Sequence, residues 1–278
     1  MPVRIVQSKQ NARLKELRRA LSRPGRDEQG LAGIEGPNLL EEALRAGLHM
    51  PVVFVAQESQ HLLEPLKLPA EAEVLLLPLE LLVYALGTET PQPIAALVEP
   101  PDWTWAHVVG SCSKTAALVV VLAGVQDPGN LGTILRSAEA FGADGVVSLP
   151  GTVSAWNQKA VRASAGSVFR LPLIEMDADE AMENLHEAGV KILATTGHMG
   201  DPADLVDLAG PVALLIGNEG NGLPANIARR ADGMVTIPCP GPVESLNAAV
   251  ATSILLYEAS RQRAIASGGP HAHRGPAR

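Results

Sequence analysis

The sequence predicts an α/β fold in two parts, the second built on a mostly parallel sheet with helices on both faces. Short apolar runs alternate with amphipathic stretches of helical period along the chain, which is βαβ logic. The run Ala117–Val125 is apolar and Val-rich, as expected of a strand buried on both faces of a parallel sheet. Between the halves, Pro100-Pro-Asp-Trp-Thr-Trp105 breaks regular structure and reads as a linker. The expected division is 1–100 as a small α/β domain, 101–116 as linker, 117–264 as the larger domain, and 265–278 as a disordered Gly/Pro/His/Arg tail in which His271 and His273 are not ligands.

In the first part, Ser8 can cap a helix over 9–21. Leu14, Leu17 and Leu21 share one face, Arg and Lys take the others, and Pro24-Gly25 ends it. Strands are expected at 30–35, 51–56, 74–77 and 94–98, and helices at 38–46, 59–66 and 78–85. Trp103 and Trp105 either anchor the linker or pack at an interface, and 110–115 reads as loose. In the second part, strands are expected at 117–125, 144–149, 191–195, 212–216 and 235–237. Helices are expected at 131–141, 157–165, 178–188, 223–231 and from Ser245 onward.

Composition narrows the function. The chain of 278 residues is 46% apolar but only 3% aromatic, so its core is aliphatic. Cys112 and Cys239 stand apart without a CxxC pattern, which reads as reduced thiols in a cytoplasmic protein without a metal site. No uncharged apolar run approaches the roughly 18 residues of a membrane span. The net charge is −8, yet residues 1–26 hold eight basic side chains against Glu16 alone, a net of +7 that leaves −15 elsewhere. Such asymmetry fits a local anion-binding face or a solvated amphipathic helix.

In parallel α/β sheets, chemistry gathers where loops leave the carboxyl ends of strands. Three such loops are polar and Gly-rich here. In Asp127-Pro-Gly-Asn-Leu-Gly-Thr-Ile-Leu-Arg136, Asn130 sits at an expected N-cap, and Arg136 suits a phosphate or carboxylate, or else a salt bridge. In Ile216-Gly-Asn-Glu-Gly-Asn-Gly-Leu-Pro224, three glycines permit a sharp fold around one charge, Glu219, which either holds neighbouring loops or touches ligand. In Val235–Tyr257, the rigid Pro238-Cys-Pro-Gly-Pro242 precedes Ser245, Leu246 and Asn247 and then a nearly all-apolar helix. No GxGxxG opens a helix and no P-loop lysine is present, which excludes the usual dinucleotide and NTP sites.

Together, Asn130-Leu-Gly-Thr-Ile-Leu-Arg136, Leu215-Ile-Gly-Asn-Glu-Gly220 and Ile237-Pro through Ser245-Leu-Asn247 resemble the three motifs of the SpoU family of RNA ribose 2′-O-methyltransferases, of the SPOUT superfamily, in order, spacing and strand placement over about 117–260. The segment Arg162–Pro172 also resembles this family. Glu35–Gly47 resembles a small substrate-binding domain similar to certain ribosomal proteins; a departure is Thr90-Pro-Gln-Pro93, where relatives commonly have Gly after Gln. The resemblance implies a deep trefoil knot, bound S-adenosylmethionine and a homodimer with the site near its interface. It implies a polar centre of Asn130, Arg136, Glu219, Ser245 and Asn247. The cofactor pocket would use Thr196, Gly197, Ile216, Gly217, Ile237, Pro238 and Leu246. The basic helix, with Arg13, Lys15, Arg18 and Arg19, becomes an RNA-contacting arm. The expected substrate is 23S rRNA. A tRNA substrate, a catalytically silent RNA-binding member and a small-molecule α/β enzyme are the alternatives. A guanidinium keeps its proton above about pH 12, so Arg136 is read as positioning RNA phosphate and stabilising an emerging alkoxide while phosphate or water takes the proton.

Overall fold

The computed structural model describes residues 2–22, 30–88, 90–110, 116–242 and 245–268. The chain divides into two compact units, 1–102 with 154–170, and 103–153 with 171–278. Pro24-Gly25, Arg23, Arg26, Cys112 with most of the 110–115 stretch, His271 and His273 lie outside the described residues.

The first unit opens with β1 (Val3–Ile5), α1 (Ala12–Ser22), β2 (Ala32–Glu35), α2 (Pro37–Arg45), β3 (Val52–Ala56), β4 (Glu73–Leu77), α3 (Leu79–Leu86) and β5 (Ile94–Val98). Its five-stranded sheet runs β1-β4-β3-β5-β2, with β1, β4 and β3 parallel and β5 antiparallel to both β3 and β2. The helix expected from Lys9 starts three residues later. Asn11 rather than Ser8 accepts an N–H of its first turn, from Leu14 at 3.2 Å. Nor is α1 an arm. Leu14, Leu17 and Ala20 are buried among Phe54, Leu75, Leu82 and Leu97, so the helix is part of the core. The helix expected at 59–66 is a 3₁₀ segment over Gln57–Leu63, and β1 was not foreseen, being an edge strand with both flanking valine and isoleucine exposed.

The second unit begins inside the expected linker with α4 (Trp105–Val108), whose Val108 is fully buried. Then come β6 (Leu118–Ala123), α5 (Pro128–Ala140) and β7 (Gly145–Ser148). The next helix, α6 (Gln158–Ser164), falls within the expected larger domain but clusters with the first unit. Gln158 donates to Gly33 O at 2.7 Å, and Arg170 pairs with Glu42 at 2.5 Å. Ala165 (φ 49) and Gly166 (φ 90) turn the chain between them; a Cβ on Gly166 would lie 2.8 Å from Glu42 Cβ, so that turn needs glycine. The chain returns to the second unit with β8 (Leu173–Glu175), α7 (Ala178–Glu187), β9 (Lys191–Thr196), β10 (Asp201–Pro202), β11 (Val212–Gly217), α8 (Ala225–Ala228), β12 (Gly233–Thr236) and α9 (Ala248–Ala266).

All seven strands of this second sheet are parallel, in the order β10-β12-β9-β11-β6-β7-β8. From β6 the chain moves one way to β7 and β8, while β11 and β9 lie on the other side. The switch in direction therefore falls between β6 and β11, the place at which parallel α/β sheets commonly bind ligands. Every residue of β6 is buried. Val119 and Val121 pack with Leu185 and Met182 of α7, and the alternate side chains face the opposite side. There α5 and α9 pack together, with Ser137 and Ser253 hydroxyls 2.7 Å apart and Phe141 edge-on to Tyr257. No described helix is long and apolar enough to cross a membrane.

One side chain fixes the far end of α9. The Arg263 guanidinium donates to the carbonyls of Leu208 (3.1 Å), Ala117 (3.0 Å), Gly210 (2.7 Å) and Ala116. Burial pushes its pKa down, against the pull of Asp144 and Asp207. It closes carbonyls just before β6 and before β11, and at Ala117 O it is a second donor beside the Val212 N–H at 2.8 Å. Arg263→Ala is expected to cost about 2 kcal/mol through unsatisfied carbonyls, and Arg263→Lys to restore only part of that because ammonium lacks the planar fork. Denaturant midpoints of the two variants check this.

Candidate active site

The site is assembled from the loops after β6, β9, β11 and β12, all at the carboxyl edge of the seven-stranded sheet. After β6 the chain turns at Gly124-Val-Gln-Asp127 and enters α5. Asp127, not Asn130, is the N-cap: its Oδ1 accepts from Asn130 N at 2.8 Å, with Pro128 at the first helical position. This correction has a chemical consequence. The Asn130 side chain is released from capping and is free to bond other loops.

Its Nδ2 donates to Glu219 Oε1 at 2.9 Å, and its Oδ1 accepts from Asn247 Nδ2 at 2.9 Å. The orientations follow from chemistry. Glu219 can only accept, and Asn247 Oδ1 is already engaged as the cap of α9, accepting from Ala249 N (2.9 Å) and Val250 N (3.2 Å). Glu219 also accepts from the backbone N–H groups of Gln126 (3.1 Å) and Asp127 (3.2 Å). Burial pushes the Glu219 carboxyl up, but the Asn130 amide and the N–H groups of Glu219 itself, Gln126 and Asp127 outweigh it and hold the group below its ordinary range.

The loop carrying Glu219 is fixed by Asn218, which the sequence reading passed over. Its Nδ2 donates to Gly124 O (2.8 Å), and its Oδ1 accepts from Gly220 N (2.9 Å) and Asn221 N (3.0 Å). Asn218 and Gly222 also exchange two backbone bonds. Gly217 is required here: a Cβ would fall 2.4 Å from the Gly222 carbonyl carbon. The available signal was the Asn-in-Gly-rich-loop pattern of an Asx turn. Thr152 is a second omission. Its hydroxyl accepts from Gly124 N and donates to Leu122 O, both at 3.0 Å.

Beside this network lies a cavity of about 400 Å³, within the range of small-ligand sites. Thr196, Gly197, Ile216, Gly217, Ile237 and Leu246 line it, as does Ser245; Pro238 does not. Its floor is apolar, from Ile216, Val235, Ile237 and Leu255, with Ala248, Ala251 and the buried Thr252 of α9 closing one side. Among the described residues no lysine or arginine lines it, and Glu219 is its only carboxylate. Arg136 does not join this group. It is exposed on α5, about 9 Å along the helix axis from Asn130, without a hydrogen bond or ion pair to any described residue. No cluster of three His, Cys, Asp or Glu among the described residues could hold a metal ion.

Comparison with known proteins decides the family. Residues 117–257 match the SpoU rRNA Methylase family model, and residues 11–96 match an MRM3-like substrate binding domain. The chain belongs to the SpoU family. A SpoU-type relative from Bacillus subtilis (strain 168), 23S rRNA (guanosine(2553)-2′-O)-methyltransferase RlmP, is 33% identical over 252 residues, 91% of this chain and 97% of the relative. The SpoU methyltransferase AviRb from Streptomyces viridochromogenes, crystallised with AdoMet, superposes with a TM-score of 0.80 at 29% identity, covering 94% of this chain and 100% of that one. An AdoMet-bound rRNA methyltransferase from Sinorhizobium meliloti gives 0.80 at 30% identity, over 93% and 98%. The likeness spans both units, so the small N-terminal α/β domain and the parallel-sheet domain together form the SpoU-type architecture.

The depressed Glu219 pKa sets a pH dependence. Its stabilising contribution is complete above the ordinary carboxylate value of 4.5 and is lost as pH falls through the lower folded value. Wild type is therefore expected to melt above Glu219→Gln at neutral pH, with the gap closing on acidification below 4.5. Thermal melts of both proteins from pH 7 down to pH 3 check it; a gap independent of pH would contradict it.

Proposed function

We propose that the protein transfers a methyl group from S-adenosylmethionine to a ribose 2′-hydroxyl of large-subunit rRNA. The observation that carries this reading is that Glu219 belongs to both the cavity and the hydrogen-bonded joint of three loops. A small-molecule pocket and a rigid polar centre thus share one wall.

The residues suit the cofactor. A sulfonium is cationic, and among the described residues the cavity opposes it with no lysine or arginine. Apolar Ile216, Ile237 and Leu246 would hold the adenosine portion, and the backbone at Thr196, Gly197 and Gly217 would supply polar contacts, with Pro238 stiffening the loop from behind. When bound, S-adenosylmethionine supplies an activated methyl. The chain's own contribution is alignment, since a positioned nucleophile can recover several kcal/mol of a bimolecular barrier. Ser245 and Asn247 frame the ribose side. Asn130 is spent holding Glu219 and Asn247, so its role is to order the centre. Arg136, exposed and without an ion pair among the described residues, positions an RNA phosphate and stabilises the forming alkoxide, while the phosphate or water takes the 2′-hydroxyl proton.

The 23S rRNA target is supported over tRNA by the match to the SpoU rRNA Methylase family model and by the function named for the B. subtilis relative. Val250, Ile254 and Tyr257 form an exposed apolar stripe at helical spacing on α9, which suits a second copy of the chain in a homodimer. A trefoil knot drawn by the C-terminal segment and action in the cytoplasm complete the reading.

Arg136→Ala is expected to lower methyl transfer to rRNA by at least about 100-fold, while calorimetry with S-adenosylmethionine gives an unchanged affinity. Loss of cofactor binding in a folded variant would contradict the role assigned to Arg136.

A further inference from the structure

The basic residues near the N-terminus are not equivalent once folded. Arg13 is held by Glu16 (2.8 Å) and Glu73 (3.4 Å), and Arg4 by Glu73 (3.2 Å), so their charge is compensated locally. Lys9, Lys15, Arg18 and Arg19 are exposed, and none has an ion pair among the described residues. Two of them converge on a residue that the sequence reading did not single out. Tyr84, on α3, is 41% exposed. Lys9 Nζ lies 4.4 Å from its ring centroid and Arg18 Cζ lies 4.5 Å from it, and Arg18 Nη1 also donates to the Tyr84 hydroxyl. Glu80, one turn before Tyr84, makes no ion pair with either cation, so both keep their charge outward.

A long flexible cation is costly to order when it binds an anion. Cation–π contact with a core-anchored aromatic removes part of that cost in advance. Tyr84 is so anchored, because its helix buries Leu82, Ala85 and Leu86 in the core of the first unit, where α1 buries Leu14 and Leu17.

We propose that Lys9, Arg18 and Tyr84 form a preorganised contact for the RNA phosphate backbone on the substrate-binding unit, extended along α1 by Lys15 and Arg19. This rests on the methyltransferase reading and deepens it: the patch supplies affinity and register and carries no base specificity. Tyr84 is a positioning residue. Arg13, although in the same helix, is not part of the contact.

The test is filter binding of the full chain to a protein-free 23S rRNA transcript across a salt series. Lys9→Ala with Arg18→Ala should lower affinity at least tenfold and reduce the salt slope by about 1.5, since each phosphate contact contributes about 0.7–0.9. Tyr84→Leu should weaken binding severalfold with the slope nearly retained, because the charges remain but are no longer held. Tyr84→Phe, which keeps the ring, should recover most of the affinity. Arg45→Ala, an exposed arginine paired with Glu41 and Glu42, and Arg13→Ala should bind as wild type. Melting midpoints and S-adenosylmethionine calorimetry establish that each variant is folded. Wild-type affinity in Tyr84→Leu, or an unchanged slope in the double variant, overturns the inference alone. Failure of the wild type to bind either the transcript or S-adenosylmethionine overturns the methyltransferase reading with it.

Discussion

The carboxylate of Glu219 is the constraint on which the site depends. It gathers the Asn130 amide and two backbone N–H groups from the turn after β6, and through Asn130 it reaches Asn247 at the head of α9. These partners lie 89 and more residues apart in sequence. Nothing local would bring them together. A charged acceptor bonded to several neutral donors is stronger than a neutral pair, and here the acceptor itself lines the cavity. Remove the carboxylate and two backbone N–H groups and an amide lose their partner at once. The depressed pKa expresses the same fact: the folded site favours the ionised form.

The last helix carries that constraint into the fold. Asn247 caps its start within the polar joint, and Arg263 clamps its end to four carbonyls near the opposite edge of the sheet. Between these two fixed points, Thr252 and Leu255 close the cavity, Ser253 meets Ser137 of α5, and Val250, Ile254 and Tyr257 remain on the outside. A single helix thus holds the pocket wall, the polar joint and an apolar outer face. Its first half, apolar on nearly every side, has both the cavity wall and the contact with α5 to supply.

Much of this was legible in the sequence, because it depends on patterns that local chemistry imposes. The buried strands of the parallel sheet show as Val-rich runs, and the three loops show as Gly, Pro and Asn clusters at their carboxyl ends. The family motifs then identify the polar residues. What was missed has a common cause. Asn130 looked like a cap because Asn is a good cap, and only the structure shows Asp127 taking that place. Asn218 was quoted within its loop, but its five bonds become visible only when the loop closes on Gly124. The basic stretch read as an arm because periodicity shows which face is apolar and not how deeply it is buried. Tyr84 could not be paired with Lys9 and Arg18 from spacing, since β1, β4 and two helices must assemble first. The grouping of residues 154–170 with the first unit is likewise a tertiary fact, made by Gln158 to Gly33 and Arg170 to Glu42.

The proposed reaction methylates a ribose hydroxyl and not a base. The most direct measurement incubates the purified protein with methyl-tritiated S-adenosylmethionine and an unmodified 23S rRNA transcript, then digests the RNA in alkali. Alkaline cleavage needs a free 2′-hydroxyl, so a methylated ribose leaves an uncut linkage. The label should appear in an alkali-resistant dinucleotide. Label recovered in mononucleotides, or no transfer by a folded protein that binds both the cofactor and the transcript, would contradict it.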